Sequence, residues 1–194
     1  ASGTLAPAAG TTLTIVSPIS GTAFVPLIKN GEGTLVLNTA ALTYSGDTRV
    51  IAGTLRQGVA GAFLSNSRFV IGGDVLSGSL DLNGFDSTLG SLDSVGTTPE
   101  NGQVFIGSNL LTLGADNTST GVFGGVISGV GGSLLKLGTG RQTLSGINTF
   151  TGSTTVEAGV LAIATEDALG PEPLAPTANH LILSNGGLLG NTNV

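Results

Sequence analysis

The sequence lacks the residues on which several kinds of protein chemistry depend. Its 194 residues include no cysteine, no methionine, no tryptophan and one histidine, His180. Disulfide bonds, thiolate zinc sites and cysteine nucleophiles are therefore impossible, and a histidine-rich metal site is excluded. Only 9% of the residues are charged, and six basic against twelve acidic residues give a net charge of −6. A nucleic-acid partner is not expected for a chain with so few basic residues.

Glycine and apolar residues are abundant at the same time. Glycine accounts for 33 of 194 residues, yet hydrophobic residues make up 40%, which is too many for a disordered polar tract. Apolar residues alternate with small polar ones in short runs, such as Thr12–Val16, Gly33–Asn38 and Asn179–Asn185. This period of two predicts β-strands with one buried face, and the Gly, Asn and Ser between the runs predict turns. At most one or two helical turns are expected, over Ala164–Gly170.

Two segments of the chain are copies of each other. Residues 27–55 read LIKNGEGTLVLNTAALTYSGDTRVIAGTL, and residues 134–161 read LLKLGTGRQTLSGINTFTGSTTVEAGVL. With one gap, the matched positions include Lys29/Lys136, Gly31/Gly138, Gly33/Gly140, Tyr44/Phe150, Gly46/Gly152 and Gly53/Gly159. The offset of 107 residues (136 minus 29) is too long for one solenoid coil. It fits four or five coils of about 20–25 residues each.

Two architectures accept such a pattern of strands, a β-sandwich and a stacked β-solenoid. Sandwiches usually have large aromatic core residues, whereas this chain has one tyrosine and seven phenylalanines. Valine, leucine and isoleucine suit the narrow interior of a solenoid, and glycine suits its tight corners. We therefore predict an all-β fold, a β-solenoid of about eight to ten coils, with residues 1–194 forming a single segment.

The second copy resembles the autotransporter-associated β-strand repeat. That repeat has a Gly-rich entry, a Lys-x-Gly-x-Gly turn, an Asn-Thr-aromatic-x-Gly stretch and a Thr-x-Val-x-x-Gly-x-Leu strand. Asn148, Thr149, Phe150 and Gly152 occupy the Asn-Thr-aromatic-x-Gly positions. The first copy is degenerate, because its "NTAALTYSG" has an insertion and lacks the Leu-x-Gly.

The resemblance implies a role in type V secretion by Gram-negative bacteria. The repeats of this family lie in passenger regions, which resemble right-handed, single-stranded parallel β-helices and cross the outer membrane with a C-terminal β-barrel of the same parent chain. The repeat is thought to aid transport and folding, so we expect a non-catalytic module that needs no cofactor or metal. The implied location is the bacterial cell surface or the medium, after export through the periplasm and outer membrane. The chain is expected to be a monomeric piece of a longer virulence or adhesion passenger.

Some residues could in principle support chemistry. His180 could be the base of a catalytic triad, but no Gly-x-Ser-x-Gly elbow is present and the histidine begins a predicted strand. Asp81, Asp86 and Asp93 could pair for glycoside chemistry, although their neighbours read as turn residues. The spacing Asp81-x-Asn83-Gly84-x-Asp86 suggests calcium, but the bidentate glutamate of such loops is missing.

Two alternatives to a purely structural role remain open. The chain could be the scaffold of a passenger whose protease or esterase domain lies outside it. It could also bind a host protein or glycan directly. Because loops carry function more often than scaffolds do, the segment Ala164–His180 is the preferred partner-binding loop, and its candidate contact residues are Glu166, Asp167, Glu172 and Leu174.

Overall fold

The computed structural model describes residues 3–21, 24–73, 75–94, 102–117, 120–173, 178–185 and 188–191. Within these ranges the chain forms short β-strands, and every strand pairing is parallel. The one helix in the described part is a 3-10 helix over Glu166–Leu169. No helix in these ranges is long and apolar enough to cross a membrane.

The strands form four sheets, and strands that are neighbours in a sheet are one coil apart in the chain. Sheet 1 contains β1 (Gly3–Leu5), β3 (Leu27–Lys29), β5 (Thr48–Val50), β7 (Arg68–Ile71) and β10 (Ser91–Ser94). Sheet 2 contains β2 (Thr12–Ile15), β4 (Thr34–Leu37), β6 (Gly53–Gln57), β8 (Gly78–Asp81), β11 (Gln103–Phe105) and β14 (Val126–Ser128).

The other two sheets belong to the second half of the chain. Sheet 3 contains β9 (Ser87–Leu89), β12 (Leu110–Leu113), β15 (Ser133–Lys136), β17 (Thr154–Val156) and β19 (Leu181–Leu183). Sheet 4 contains β13 (Gly121–Phe123), β16 (Arg141–Leu144), β18 (Val160–Ile163) and β20 (Leu188–Asn191).

Sheet 4 continues the face of sheet 1, with side chains in place of ladder bonds at the junction. The Val122 amide of β13 donates to Asp93 Oδ1 at 3.0 Å, and the Gly124 amide donates to Ser94 Oγ at 2.9 Å. The solenoid thus has three faces: sheets 1 and 4 together, sheet 2, and sheet 3. Strands occupy the first and second faces at the start of the chain, and the third and first faces towards its end.

The core consists of columns of side chains that repeat once per coil. Parallel register stacks one apolar residue of each strand directly on the next, and one column of sheet 2 has no solvent exposure from its second rung on. It runs through Leu35, Leu55, Leu80, Val104 and Ile127. Such stacking removes apolar surface from water at each coil, which is the main driving force for the fold.

The predicted parallel β-solenoid is confirmed. The chain makes about seven turns, fewer than the eight to ten that were predicted. The sandwich alternative is wrong because no strand in the described ranges pairs antiparallel with another. The prediction of at most two helical turns over Ala164–Gly170 agrees with the single 3-10 helix found there.

Candidate functional site

The repeat motif of the first copy centres on a lysine buried in a corner of the solenoid. Lys29 ends β3 and is completely shielded from solvent. Its ammonium donates to the carbonyl oxygens of Asn30 at 3.2 Å, Gly31 at 2.7 Å and Ala52 at 2.7 Å. The first two acceptors lie in the turn that follows Lys29, and Ala52 lies in the corresponding corner of the next coil. One side chain therefore closes its own corner and joins two coils.

The second copy repeats this arrangement. Lys136 ends β15 and is 1% exposed. Its ammonium donates to the carbonyl oxygens of Leu137 and Gly138 in its own turn, and to Ala158 of the next coil at 3.4 Å. Ala158 precedes Gly159 as Ala52 precedes Gly53. The two lysines therefore have equivalent acceptors, which the sequence match alone did not reveal.

Burial changes the acidity of both lysines. Desolvation lowers the pKa of Lys29 from 10.5 to about 8, since a charged ammonium is disfavoured away from water. Desolvation also lowers the pKa of Lys136, although the negative charge of Asp116 opposes this shift. The positive charge of Lys29 is stabilised by the dipoles of the three carbonyl groups to which its ammonium donates.

The strands of each repeat copy pair with other strands of the same copy. In the first copy β3 pairs with β5 and β4 with β6, so that Leu27 faces Thr48 and Leu35 faces Leu55. In the second copy β15 pairs with β17 and β16 with β18. One copy is therefore two stacked corners, held by four strands and the bridging lysine.

The matched glycines have two separate reasons to be glycine. Gly31 and Gly138 have φ angles of 76° and 67°, in the left-handed region that side chains with a Cβ rarely adopt. Gly33 instead lies against the preceding coil, where a Cβ would come within 2.2 Å of the Ala8 carbonyl oxygen. The same close approach occurs at Gly46, whose Cβ would lie 2.5 Å from the Val25 carbonyl.

The remaining glycines of the motif follow the same division. Gly53 and Gly159 have φ angles of 64° and 67°. A Cβ at Gly152 would come within 2.4 Å of the Gly132 carbonyl oxygen. Gly140 is buried in its corner, and its carbonyl oxygen would lie 2.3 Å from a Cβ at Gly159.

The aromatic position of the motif is part of the core in both copies. Phe150 has no solvent exposure, and Tyr44 is 5% exposed. The Tyr44 hydroxyl bonds to Thr48 Oγ1 at 2.6 Å, and Thr48 in turn bonds to Ser67 Oγ at 3.0 Å. Burial raises the pKa of Tyr44 to about 12, although the bond to Thr48 opposes the shift.

Asn148 takes the place of a missing strand. Sheet 2 ends at β14, and Asn148 Oδ1 accepts a bond from the Ile127 amide of that strand at 2.7 Å. Its Nδ2 donates to the Ala168 carbonyl in the 3-10 helix at 2.6 Å. The neighbouring Thr149 amide donates to the Ile127 carbonyl at 2.9 Å, and its side chain is exposed. The side chain of Asn148 therefore links three successive coils on the second face.

The two copies occupy different corners of the solenoid. Copy one joins the first face to the second, because β3 lies in sheet 1 and β4 in sheet 2. Copy two joins the third face to the first, because β15 lies in sheet 3 and β16 in sheet 4. The motif therefore specifies a corner without specifying which corner.

One important residue was missed by sequence reasoning. Gln142 is 1% exposed, and its amide pairs with the backbone of Leu92, donating to the carbonyl at 2.7 Å and accepting from the amide at 3.1 Å. It passes over Gly121, where a Cβ would lie 2.6 Å from Gln142 Oε1. The only signal in the sequence was a polar residue at a position that the strand pattern places inside.

The candidate partner loop is partly docked on the solenoid. Ala168 is buried, and the Asp167 carbonyl accepts a bond from the Asn148 amide at 3.0 Å. The side chains of Glu166, Asp167 and Glu172 are exposed. Leu174 lies outside the described residues. That this loop contacts a partner stays a prediction.

The other candidate residues have separate structural partners. Asp81 Oδ1 accepts from the Asn83 amide at 2.9 Å, a local bond typical of a turn. Its Oδ2 forms an ion pair with Arg56 Nε at 2.8 Å. Asp93 Oδ1 bonds to Val122, and its other oxygen is buried without a described partner; desolvation raises its pKa. His180 is half-buried, and its carbonyl accepts from the Thr154 amide at 2.8 Å. No group of three or more His, Cys, Asp or Glu within the described ranges could hold a metal.

The fold and the paired corners define a parallel β-solenoid built with a repeated lysine-closed unit. Comparison with known families matches residues 27–56 and 134–163 to the Passenger-associated-transport-repeat. The chain is 36% identical over 185 residues to the adhesin BmaC autotransporter of Brucella suis biovar 1 (strain 1330). That match covers 93% of this chain and 5% of the length of the relative. No solved structure matches the chain significantly.

These matches show that the chain carries the repeats of autotransporter passengers. The resemblance read from the Lys-x-Gly-x-Gly and Asn-Thr-aromatic-x-Gly stretches is thereby confirmed.

Proposed function

We propose that the chain is a non-catalytic β-helical module of an autotransporter passenger that supports folding outside the cell and presents surface there. The observation that carries the proposal is the lysine-closed pair of coils in each repeat copy. Its pairings, such as Leu27 with Thr48, join residues close in sequence. Such a unit can form as soon as two coils have emerged, and each later coil then adds to an existing edge.

The comparisons support the setting of this proposal. The relative is named an autotransporter adhesin, and we extend to this chain the export to the cell surface and the C-terminal outer-membrane β-barrel partner that such a parent would have. Direct adhesion to a host protein or glycan is the second candidate function, and the name of the relative favours it. That an enzyme domain outside this chain uses the module as its scaffold stays an untested alternative.

A display experiment tests the folding role. The chain would be fused ahead of an outer-membrane β-barrel translocator in a Gram-negative host, and its exposure on intact cells measured with an antibody. We expect Lys29→Met combined with Lys136→Met to reduce display, because both two-coil units lose their bridge. The matched control is Phe69→Leu, a core substitution outside both copies that lowers the stability of the whole fold.

The control separates a template role from general instability. The free energy of unfolding of each purified variant would be measured, so that the loss of display can be compared with the loss of stability. If the double lysine variant and Phe69→Leu reduce display to the same degree, the repeats have no special part in export folding and the proposal fails.

A further inference from the structure

Besides the junction of sheets 1 and 4, sheets 2 and 3 each have an edge strand inside the stack, and these two edges are covered differently. Sheet 2 ends at β14, where the following coil bonds to the strand through Asn148 and Thr149. Sheet 3 begins at β9, whose one strand partner within the described ranges is β12. On the other side of β9 the preceding coil forms two turns, closed by Ala62 N to Val59 O and by Ser67 N to Leu64 O. The turns leave a gap beside β9.

This gap is a cleft of about 320 Å³, within the size range of small-molecule sites. Hydrogen bonds between coils close both of its ends. Asn83 Nδ2 donates to the Gln57 carbonyl at 2.9 Å before β9, and the Gly90 amide donates to the Ser67 carbonyl at 3.0 Å after it. An extended peptide therefore cannot run along β9, and the cleft suits a compact ligand.

The base of the cleft is polar and fixed in position. Gln57 is 1% exposed, its Nε2 donates to the Val59 carbonyl at 3.1 Å, and its Oε1 accepts a bond from the Ser87 hydroxyl. Phe63 provides an apolar part of the wall. A rigid amide and hydroxyl pair beside an aromatic ring orients a ligand without a large loss of side-chain entropy.

Three further polar groups line the cleft and are open to a ligand. Asp86 uses Oδ1 to accept from the Leu110 amide at 2.8 Å, and its Oδ2 has no hydrogen bond to any described residue. The hydroxyls of Ser65 and Thr88 likewise have no bond within the described ranges. They could donate to and accept from a ligand that is itself rich in hydroxyl groups.

The charge of the lining limits the chemistry of the ligand. Asp86 is acidic, and no basic side chain is among the described residues that line the cleft. Phosphate, sulfate and acidic sugars would be repelled. A carboxylate, an amide and hydroxyls around a partly apolar wall instead match the vicinal hydroxyls and the C–H face of a neutral sugar. We propose that this cleft binds one neutral saccharide ring, such as a hexose or an N-acetylhexosamine.

The test uses the full 194-residue chain and does not depend on the scaffolding role proposed above. D-glucose, D-galactose, D-mannose and N-acetyl-D-glucosamine would be added separately, with N-acetylneuraminic acid as the anionic comparison. Saturation-transfer NMR would detect binding, and amide shifts of the ¹⁵N-labelled chain would locate it. We expect at least one neutral sugar to bind with a dissociation constant of about 1–10 mM, with shifts at Ser65, Ser87 and Thr88.

Two variants and a matched control test whether the sugar binds in this cleft. Asp86→Asn keeps an oxygen for the Leu110 amide but loses the charge, and we expect affinity to fall by about tenfold. Ser65→Phe places a ring at the mouth of the cleft and is expected to abolish binding. Glu157→Gln makes the same chemical change as Asp86→Asn at an exposed position on another corner, and affinity should not change.

Three results would overturn the proposal. The first is that none of the four neutral sugars binds while the chain is folded. The second is that N-acetylneuraminic acid binds as well as they do. The third is that Ser65→Phe and Asp86→Asn bind like the original chain, with shifts located elsewhere.

Discussion

At the scale of the residue, the buried lysine is the most informative feature of the repeat. Lysine is among the residues least often fully buried, yet Lys29 and Lys136 are both enclosed. At both matched corners, carbonyl oxygens of the turn and of the next coil point at the lysine ammonium. A long side chain with three donors satisfies several of these oxygens from one position, which explains why the motif has lysine just before its glycines.

Removing the lysine should therefore destabilise the chain. Lys29→Met retains the length and apolar stem but leaves the carbonyls of Asn30, Gly31 and Ala52 without a donor. We expect the free energy of unfolding to fall by about 1–3 kcal/mol, measured by urea unfolding at pH 7. Arg141→Met is the control, since Arg141 is exposed and forms no ion pair with a described residue. An effect of Lys29→Met no larger than that of the control would contradict the bridging role.

The lowered pKa of Lys29 makes the free energy of unfolding change with pH in the alkaline range. The folded chain releases this proton near pH 8, whereas the unfolded chain holds it to about pH 10.5. The unfolded state binds more protons in this window, so the free energy of unfolding rises with pH, by at most about 1.4 kcal/mol per unit from this group. Above about pH 10 the raised pKa of Tyr44 acts in the opposite direction, because the unfolded tyrosine ionises first.

Urea unfolding between pH 8 and pH 9.5 checks this expectation. The rise should be smaller in Lys29→Met than in the original chain. Some rise should remain, because the pKa of Lys136 is also lowered. An unchanged slope in Lys29→Met would show that this lysine does not titrate in the window.

At the scale of the element, side-chain amides hold together places where strand pairing stops. Strands β10 and β13 do not pair with each other, and Gln142 of β16 reaches past β13 to pair its side-chain amide with the backbone of Leu92 on β10. Asn148 does the same between β14 and the 3-10 helix. A primary amide offers both a donor and an acceptor, so it reproduces what a neighbouring peptide group would supply. The backbone groups of Leu92, Ile127 and Ala168 thus keep hydrogen-bond partners where the solenoid changes which faces carry strands.

Gln142→Leu tests this at the junction of sheets 1 and 4. It should leave the Leu92 amide and carbonyl unpaired and lower the free energy of unfolding by about 2–4 kcal/mol. The Leu92 amide should also exchange with solvent faster, as hydrogen-exchange NMR would show. Gln103→Leu, an exposed amide on β11, is the matched control and should leave that exchange unchanged. Protection of Leu92 that persists in Gln142→Leu would contradict the assignment.

At the scale of the whole molecule, the stacked columns end in partly exposed leucines. Leu13 lies under the fully buried Leu35 and is 38% exposed. Leu183 lies over the fully buried Val156 and is 51% exposed. Among the described residues, β2 and β19 each have one edge without a strand partner, and such edges favour association with another chain. The isolated chain was expected to be a monomer, and these ends would give it only weak contacts with a second copy.

Sedimentation velocity at increasing protein concentration measures such contacts. We expect weak association in the original chain and less of it in the double variant Leu13→Lys and Leu183→Lys, because charges at both ends oppose stacking. Val130→Lys is the control, since Val130 is 84% exposed in a corner and lies in no column. If that control reduces association equally, the contacts are not made through the ends.

The sequence by itself determined the class of fold and its repeated unit. Alternation with a period of two, glycines at matched corners and the copies at residues 27–55 and 134–161 were sufficient for a β-solenoid and for the passenger resemblance. These are local properties, because strand pairing in a solenoid joins each coil to its direct neighbours. The pattern also placed the corner lysine and the aromatic position, though it gave no partner for either.

Only the tertiary structure decided how the coils are stacked. The rotation of the second copy by one face, the pairing of Gln142 with Leu92 and the cleft between Ser65 and Asp86 depend on contacts between residues about 20 to 50 positions apart. The motif encodes a corner with its own bonds, and nothing within it encodes a face. Which face it joins depends on which residues of the intervening coils pair as strands, and that pairing exists only when the coils are stacked.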